Sequence, residues 1–413
     1  MSYRSILRPD VVPLAEEDQF YRIEVACEAD HSDRKVDLGI GAYRDDNGQS
    51  WILPSVKRAQ DILIRDPSFN HDYLPVEGNV SFTSAAQKII LGADSPAIKE
   101  NRLCPFQTIS GTGAVSLASC FLSEFMPSTT ILVPTETWTV HWDIFAKAHL
   151  QADSYPYLSA NENTLDLDGM LSALKSARPG SIVLLHPCAH NPTGIDPTDE
   201  QWKEIAMVFY EQNLVPLFDC AYQGFASGSL SQDNFAIRHF VEEGFEIIIA
   251  QSFSKIMGLY GQQVGVFHYI APPGSDALNT VNRVASQIAL RQLATISTPP
   301  SYGARIASII LNNPGLLGEW KENLHTMFTR ITQMRRVLYQ ELTLLGTPGN
   351  WEQITRQTGM FSYTDVTAAQ VQELQTRWHV YILSSGRISM AGLNTHNVRY
   401  FAEALDDVVR RIK

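Results

Sequence analysis

The sequence predicts an α/β fold, with a mostly parallel central sheet covered by helices in a large domain and a smaller α+β domain beside it. Four short runs rich in Ile, Leu and Val, around residues 130–133, 182–185, 214–218 and 246–250, are apolar without alternation. Such runs are typical of strands that are buried on both faces, as in a parallel sheet. Stretches with apolar residues at helical spacing separate them, so strands and helices alternate.

One of these helices is predicted from a capping residue and the spacing that follows it. Thr198 precedes a segment in which Trp202, Ile205 and Phe209 recur at helical spacing. Threonine is favoured at the N-cap because its hydroxyl accepts a hydrogen bond from a free N–H group of the first turn. We therefore expect a helix that is capped by Thr198 and buries this apolar face.

A longer amphipathic pattern, from about residue 314 to 345, predicts a helix that joins the two domains. The segments "GMFSYTDV" and "VYILSSGRISMAGL" and a last helical pattern follow it, and we assign them to the smaller domain. The predicted division is an N-terminal arm with part of the small domain at 1–47, the large α/β domain at 48–319 and the small C-terminal domain at 320–413.

Composition and charge exclude several classes of function. Hydrophobic residues make up 44% and charged residues 18% of the 413 residues, which is typical of a folded enzyme. The net charge of −12 and the lack of a basic run argue against nucleic-acid binding. No apolar stretch approaches the ~20 residues needed to cross a membrane, and the start lacks the apolar core of a signal peptide. We expect a cytoplasmic protein with neither nucleic acid nor membrane as a partner.

The cysteines and histidines give no prediction of a metal site. Five cysteines without a CxxC pair indicate neither a disulfide framework nor a zinc site. The segment "HPCAH" places His186, Cys188 and His190 at alternate positions, which is one pattern of metal ligands. No fourth ligand stands nearby, so we predict that no metal is bound there.

Polar side chains follow three of the four apolar runs. They are Asn191 after the second run, Asp219 and Tyr222 after the third, and Ser252, Ser254 and Lys255 after the fourth. Ligands of open parallel sheets bind outside the carboxyl ends of the strands, where these residues fall. A poorly solvated lysine has a lowered pKa and can form a Schiff base with a carbonyl group. A solvated surface lysine is the alternative for Lys255, but apolar residues flank it.

Schiff-base chemistry on amino acids commonly uses pyridoxal phosphate, whose ring nitrogen, phenolic oxygen and phosphate the protein must hold. Asp219 can pair with the ring nitrogen, although a helix cap or a salt bridge is an alternative for it. Asn191 and Tyr222 can donate hydrogen bonds to the phenolic oxygen. Trp138 offers a flat apolar surface for the ring, with His141 three residues on, although a tryptophan is more often a core residue.

The phosphate is expected at the start of a helix. The segment "FQTISGTGAVSLASCFLSEF" predicts a strand, a glycine loop and a helix that begins near Gly113. The free N–H groups and partial positive charge of a helix start attract anions, although a glycine turn without a ligand is the alternative. The candidate phosphate ligands are Ser110, Gly111, Thr112, Ser252 and Ser254.

The sequence resembles the aspartate and aromatic aminotransferases of the fold type I pyridoxal-phosphate enzymes. The resemblance covers almost the whole chain through ordered motifs such as "DLGIGAYRDDNG", "HNPTGIDPT", "FDCAYQGFASG", "SFSKIMGLYG" and "SSGRISMAG". It implies that Lys255 forms the Schiff base and moves a proton between substrate and cofactor. It also implies that Asp219, supported by His141, pairs with the ring nitrogen.

The resemblance further implies a substrate site and a partner subunit. Arg387 in "SSGR" would bind the α-carboxylate of the substrate beside Gly41, with Trp138 and Asn191 also in contact with it. A bidentate guanidinium suits a carboxylate better than an ammonium group does. Tyr73 in "DYLPVEG" matches a tyrosine that reaches the phosphate of the neighbouring subunit, which implies a homodimer with shared active sites.

Two positions depart from the family pattern. Gln263 stands where the family typically has an arginine on the phosphate, so we expect either weaker binding of the cofactor or another cation that compensates. Counting back from "STPP", the arginine that binds an acidic side chain falls on Leu293, and Arg291 lies two residues earlier. A leucine there favours aromatic or other apolar side chains, while Arg291 or a mobile neighbour can still meet an acidic one. This pattern resembles a broad-substrate aminotransferase.

We therefore expect pyridoxal-phosphate-dependent transamination, in ping-pong half-reactions, between aspartate, glutamate or aromatic amino acids and 2-oxo acids such as 2-oxoglutarate. A strict aspartate aminotransferase, a decarboxylase or lyase with the same cofactor, and a catalytically silent family member are the alternatives. Decarboxylation would release carbon dioxide, and a silent protein would give no absorption band with pyridoxal phosphate.

Overall fold

The computed structural model describes residues 7–15, 17–159 and 163–412. Its strands are β1 Val36–Asp37, β2 Leu103–Ile109, β3 Thr130–Pro134, β4 Gln151–Tyr155, β5 Ile182–Leu185, β6 Val215–Cys220, β7 Ile247–Ser252, β8 Val264–Ile270, β9 Phe361–Tyr363, β10 Val380–Tyr381 and β11 Arg387–Ser389. Strands β2 to β8 form one sheet of order β2-β8-β7-β6-β5-β3-β4. Strand β8 is antiparallel to both neighbours, and the remaining pairs are parallel. The predicted mostly parallel sheet is confirmed.

Helices cover this sheet and form most of the remaining structure. They are α1 Gln19–Ala29, α2 Pro54–Arg65, α3 Val80–Leu91, α4 Pro96–Lys99, α5 Ser110–Phe125, α6 Val140–Lys147, α7 Leu167–Ser176, α8 Asp199–Gln212, α9 Leu230–Asp233, α10 Phe235–Glu242, α11 Ala277–Ile296, α12 Ser301–Asn312, α13 Pro314–Leu345, α14 Gln353–Arg356, α15 Ala368–Trp378 and α16 Val398–Arg411. No helix among the described residues has the length and apolar character required to span a membrane.

The central strands are buried on both faces, which explains their unbroken apolar sequence. All residues of β5, β7 and β8 are buried. In β7, Ile247 and Ile249 belong to one apolar cluster, whereas Ile248 and Ala250 belong to the cluster on the opposite face. Because successive side chains of a strand point to opposite faces, helices on both sides require apolar residues at every position.

The two helices predicted in detail are present. The Thr198 hydroxyl accepts a hydrogen bond from the Gln201 N–H group, and the Gln201 side chain accepts one from the Thr198 N–H group. This reciprocal capping box starts α8 directly after Thr198. Trp202, Ile205 and Phe209 are buried, as expected. The long helix α13 spans residues 314–345, as its amphipathic pattern predicts.

The start of α5 differs from the prediction. The helix begins at Ser110 and not near Gly113, so no glycine loop separates it from β2. Ser110 has a left-handed backbone with φ of 61°, which turns the chain from the strand directly into the helix. The N–H group of Ser110 donates to the carbonyl of Gln263 at 2.8 Å and fixes this turn on the edge of β8.

The smaller α+β unit is built from both ends of the chain. Strand β1 pairs in parallel with β10, and β9 pairs antiparallel with β11. Helix α16 packs on α13. The predicted boundaries at residues 47 and 319 stay predictions, because α13 continues across residue 319 and one apolar cluster includes both Leu53 and Leu405.

Candidate active site

A cleft lies where the carboxyl ends of β5, β6 and β7 meet the smaller unit. It holds about 680 Å³ of empty space. Its lining residues are Phe20, Gly41, Ser110, Gly111, Thr112, Trp138, Asn191, Asp219, Ala221, Tyr222, Ser252, Lys255, Phe361 and Arg387. Most of the residues predicted for the site therefore lie around one cavity, although their chemical roles stay predictions.

Lys255 follows the end of β7 and points its ammonium group into this cleft. Its Nζ atom lies 5.8 Å from the centre of the Tyr222 ring. Burial is the main cause that lowers the pKa of Lys255; the charge of Asp219 acts against it, and the charge of Arg387 adds to it. The lysine is therefore more easily converted to the neutral amine, which is the form that attacks a carbonyl group.

Asp219 lies near the end of β6, directly beside β7, and two histidines approach its carboxylate. The Nε2 atom of His141 is 3.2 Å from Oδ2 of Asp219, and Nε2 of His186 is 3.7 Å from the same oxygen. Burial alone would raise the pKa of Asp219, but the hydrogen bond and charge of His141, together with His186 and Lys255, hold that pKa below its ordinary value. Asp219 is therefore ionised at neutral pH.

The orientation of His141 is fixed from both sides. The Thr137 hydroxyl lies 2.9 Å from Nδ1 of His141, opposite the nitrogen that faces Asp219. Because a carboxylate only accepts hydrogen bonds, the His141 Nε2–H group donates to Asp219. The ring of Trp138 lies edge-on to His141, with centroids 5.2 Å apart, so the indole closes the same wall of the cleft.

The histidines of "HPCAH" do not form a site with Cys188. His190 instead lies 2.8 Å from the hydroxyl of Thr193 through Nδ1. His186 belongs to a group with His141 and Asp219, whose ligand atoms all lie within 4.8 Å of one another. Burial lowers the pKa of His186 to about 4, so this imidazole is neutral at pH 7. His186 thus places a second imidazole beside the Asp219 carboxylate at the end of β5.

The start of α5 forms a corner of the cleft that is lined with hydroxyl and N–H groups. The hydroxyls of Ser110 and Ser254 lie 3.2 Å apart, and the Ser252 hydroxyl accepts from the Ser254 N–H group at 3.3 Å. A Cβ atom on Gly111 would lie 3.0 Å from Cβ of Ser252, so glycine allows the helix to approach β7 closely. The N–H group of Ser110 is already bonded, which leaves those of Gly111 and Thr112 as the free donors of the first turn.

Arg387 forms the opposite wall, on β11 of the smaller unit. It is 3% exposed, and it donates to the Gly39 carbonyl at 2.6 Å and to Oδ1 of Asn191 at 3.3 Å. Its Nε atom has no hydrogen-bond partner within the described part of the chain. Burial lowers the pKa of Arg387 to about 10, so the guanidinium is charged at pH 7 and offers a donor to a carboxylate.

Two aromatic rings that sequence reasoning missed enclose this guanidinium. The Cζ atom of Arg387 lies 4.0 Å from the centre of the Phe361 ring and 5.0 Å from that of Phe20. Phe361 lies in the motif "GMFSY", but nothing local indicates that its ring reaches Arg387. A Cβ atom on Gly41 would lie 2.7 Å from the Phe361 ring, which explains the glycine at that position.

Asn191 and Tyr222 stand between these two walls. Asn191 accepts from Arg387 through its amide oxygen, so its NH₂ group remains available as a donor. Tyr222 is 5% exposed, and burial raises the pKa of its hydroxyl, which is therefore protonated at neutral pH. Both side chains can thus donate to an oxygen atom of a ligand in the cleft.

Besides His141 and Ser254, which each contact a lining residue, four predicted residues do not line the cleft of their own chain. Tyr73 is 89% exposed and Leu293 is 51% exposed. The side chain of Gln263 is turned to the carbonyl of Tyr260 at 2.9 Å, although its own carbonyl accepts from Ser110 at the start of α5. Arg291 also lies outside the cleft.

Arg291 is bound within its own subunit. It forms an ion pair with Glu124 of α5, and its Cζ atom lies 4.8 Å from the centre of the Phe125 ring. Its Nη1 atom also donates to the carbonyl of Gln287 at 2.8 Å. These contacts occupy the guanidinium, so the expectation that Arg291 meets an acidic substrate has no support from this geometry.

Comparison with known proteins assigns the family. The model of aminotransferases of class I and II matches residues 33–405. The cytoplasmic aspartate aminotransferase of Schizosaccharomyces pombe is 46% identical over 96% of this chain and 97% of its own length. The solved structure of the aspartate aminotransferase from the cytoplasm of Saccharomyces cerevisiae has a TM-score of 0.97, with 43% identity over 99% of this chain and 100% of that chain.

An aromatic relative is nearly as similar in fold. The aromatic-amino-acid aminotransferase of Burkholderia pseudomallei, solved with pyridoxal phosphate covalently bound, has a TM-score of 0.94. It is 35% identical and covers 98% of this chain and 100% of that chain. The full-length match of sequence, fold and site composition shows that the chain is an enzyme and belongs to the aminotransferases of class I and II.

Proposed function

We propose that this enzyme transfers amino groups between L-amino acids and 2-oxo acids, with pyridoxal phosphate as its cofactor and Lys255 as the residue that bonds to it. The observation that carries the proposal is the arrangement of Lys255 between the Asp219 carboxylate and the Arg387 guanidinium, around a single cleft. An amine, an anion and a cation at three sides of one cavity match the demands of the cofactor and of an amino acid.

The residues of the cleft fit pyridoxal phosphate. Ionised Asp219 would hold the protonated ring nitrogen, and Asn191 and Tyr222 would donate to the phenolic oxygen. Trp138 would lie against the ring. The phosphate ligands would be Ser110 through its hydroxyl, Gly111 and Thr112 through their N–H groups, and Ser252 and Ser254. When bound, the cofactor supplies an aldehyde that condenses with amines and a ring that takes up an electron pair.

The protein supplies binding, orientation and proton movement. Arg387 would bind the α-carboxylate of the amino acid through its free Nε–H group, with Asn191 beside it. As a free amine, Lys255 would act as the base, because burial lowers its pKa and favours the neutral form. It would move the proton at the α-carbon of the bound amino acid.

For the substrate, we propose a broad range that includes aspartate, glutamate and aromatic amino acids, with 2-oxoglutarate as an amino acceptor. The relatives support both halves of this range, because some are named for aspartate and others for aromatic amino acids. Leu293 supports the aromatic half. A strict aspartate aminotransferase is the second candidate, and it is favoured by 46% identity to the aspartate aminotransferase of fission yeast.

We further propose a homodimer in the cytoplasm. Tyr73 and Leu293 are exposed, and Gln292 donates from the helix of Leu293 to the Val76 carbonyl, which brings both segments to one region of the surface. If a second subunit packs there, Tyr73 and Leu293 of each chain would lie at the cleft of the other chain. Their apolar surface would then be covered. The location follows the names of the yeast and fission yeast relatives.

Two measurements test the proposal. Borohydride reduction of the protein loaded with pyridoxal phosphate should label Lys255 in a peptide map, whereas Lys255→Ala should give no label. Lys57→Ala, on the exposed side of α2, is the matched control and should label normally. A steady-state panel with 2-oxoglutarate should then show turnover with both aspartate and phenylalanine. Label at another lysine would refute the assignment, and turnover with aspartate alone would favour the strict enzyme.

A further inference from the structure

A carboxylate and a guanidinium outside the cleft lie at the junction of the two walls that flank Arg387, and both bind Thr358. Asp196 follows β5 in the same loop as Asn191, and Arg335 lies on α13 with 3% exposure. Burial lowers the pKa of Arg335 to about 9, with Asp196 acting against this shift, so the guanidinium is charged at pH 7. Neither residue lines the cleft.

Asp196 holds the Asn191 loop in shape and ties it to the smaller unit. Its carboxylate accepts from the N–H group of Ala189 at 2.7 Å and from that of His190 at 2.9 Å. The Thr358 hydroxyl donates to the same carboxylate at 2.8 Å. Three donors on one carboxylate indicate a built acceptor site, because charge-assisted hydrogen bonds are stronger than neutral ones.

Arg335 holds the other side of the junction. It donates to the carbonyls of Ile354 at 3.0 Å, Thr358 at 3.1 Å and Gly359 at 2.9 Å, and also to that of Phe361. All four carbonyls lie between α14 and the first residue of β9, inclusive. The Phe361 ring then contacts the guanidinium of Arg387 at 4.0 Å.

The backbones at this junction are too close for larger residues. Thr358 donates through its N–H group to the Gly194 carbonyl at 2.6 Å. A Cβ atom on Gly194, which has a φ of +65°, would lie 2.7 Å from the Thr358 carbonyl oxygen. A Cβ atom on Gly359 would lie 2.4 Å from Cβ of Ala189. The Asn191 loop and the Phe361 segment are thus joined by direct contact as well as by charge.

We infer that Asp196 and Arg335 are positioning residues for the α-carboxylate site: they fix Asn191 and Phe361 on either side of Arg387, and so set the orientation of its free Nε–H group. This inference rests on the proposed function, because it concerns the substrate that Arg387 would bind. Displacements of about 1 Å in such a site cost on the order of 100-fold in rate.

The test uses the first half-reaction of the holoenzyme, followed by the loss of visible cofactor absorption. Each enzyme is given an amino acid and the matching amine without the α-carboxylate: phenylalanine and phenethylamine, or aspartate and β-alanine. In Asp196→Asn and Thr358→Val, the rate constant for the amino acid should fall roughly 10-fold or more. The rate constant for the amine should change less than 3-fold, and the dissociation constant of pyridoxal phosphate should stay within the same limit.

Conservative variants and a remote control separate positioning from stability. Thr358→Ser keeps the hydroxyl and should retain the wild-type preference for the amino acid over the amine. Thr358→Val removes the hydroxyl and should weaken that preference. Arg102→Met removes another buried guanidinium, which donates to the Ala271 carbonyl far from the cleft, and should leave the preference unchanged. The inference would be overturned if Asp196→Asn and Thr358→Val lowered the rate constants for the amino acid and for the amine equally, or lowered neither. A wild-type enzyme inert toward every amino acid would overturn the proposed function, and the inference with it.

Discussion

The Nε2 atom of His141 lies 3.2 Å from Oδ2 of Asp219, and the hydroxyl of Thr137 holds the other nitrogen of the same ring. This contact supports the negative charge of a carboxylate whose pKa burial alone would raise. The arrangement predicts that the charge of Asp219, and not only its shape, is required for the reaction.

We expect Asp219→Asn to slow the first half-reaction by about 100-fold or more, because the amide cannot stabilise a positive charge on the ring nitrogen. Lys255 should still be labelled by borohydride, since its position does not depend on the carboxylate. Glu246→Gln, at the opposite end of β7, is the control and should react at close to the wild-type rate. Full activity of Asp219→Asn would remove Asp219 from the mechanism.

The pKa of Asp219 gives a second prediction, on pH. His141 is among the groups that lower this pKa, so the ionised carboxylate persists to lower pH in the wild type. His141→Phe should raise the pKa and move the acidic limb of the half-reaction profile to higher pH. His268→Phe, a buried histidine that pairs with Gln251 elsewhere in the sheet, should leave that limb in place. An unchanged limb in His141→Phe would contradict the assigned coupling.

The reactivity of Lys255 should respond to its two charged neighbours with opposite signs. In the cofactor-free protein, acetylation of Lys255 should show a pH midpoint below the ordinary lysine value of 10.5. Asp219→Asn removes the charge that raises the pKa of Lys255, so the midpoint should fall further. Arg387→Leu should raise the midpoint. Peptide mass spectrometry measures the midpoints of both variants, with exposed Lys57 as the internal reference. If the two midpoints shifted in the same direction, the assigned effects of Asp219 and Arg387 would be wrong.

Gln263 offers a test of phosphate binding. Gln263→Arg should tighten pyridoxal phosphate by about 10-fold or more, since hydrogen bonds to charged groups contribute about 1.5–3 kcal/mol. Gln263→Met, which has similar length without charge, should not tighten it. Absorption titration gives both dissociation constants. Equal constants for the arginine variant and the wild type would mean that position 263 does not reach the phosphate.

Leu293 offers a test of side-chain specificity in the proposed dimer. Leu293→Arg should raise the ratio of kcat/KM for aspartate to that for phenylalanine by about 10-fold or more, because a guanidinium pairs with a carboxylate and disfavours an aromatic ring. Leu278→Arg, at the other end of α11 and 56% exposed, should leave the ratio unchanged. If both variants give the wild-type ratio, Leu293 does not contact the substrate.

Much of the fold and the centre of the site follow from local sequence. The strands are recognised because burial of both faces requires an unbroken apolar run. The carboxyl ends of parallel strands then meet at one edge of the sheet. That rule alone brings Asn191, Asp219 and Lys255 together. The cap of α8 at Thr198 is equally local, since Thr198 and Gln201 satisfy each other within one turn.

The remaining features depend on contacts between distant segments. Phe20 reaches Arg387 from the other end of the chain, and no periodicity reports such a contact. The orientation of Arg291 is decided by Glu124 on another helix. The start of α5 is set by the carbonyl of Gln263, the residue before β8, so the local glycines predicted a start three residues too late.

Strand β8 runs antiparallel to β7, and this direction fixes the position of the segment that carries Lys255. The segment that carries Lys255 leaves the sheet at β7 and returns to the same edge, where the Phe253 N–H group donates to the Val264 carbonyl at 2.9 Å. The amine is thus anchored to the sheet that also bears Asp219, whereas Arg387 lies on β11 in the smaller unit. An α-amino acid in the cleft would therefore contact both, and the single carbon between its nitrogen and its carboxylate would fix the spacing at which it fits.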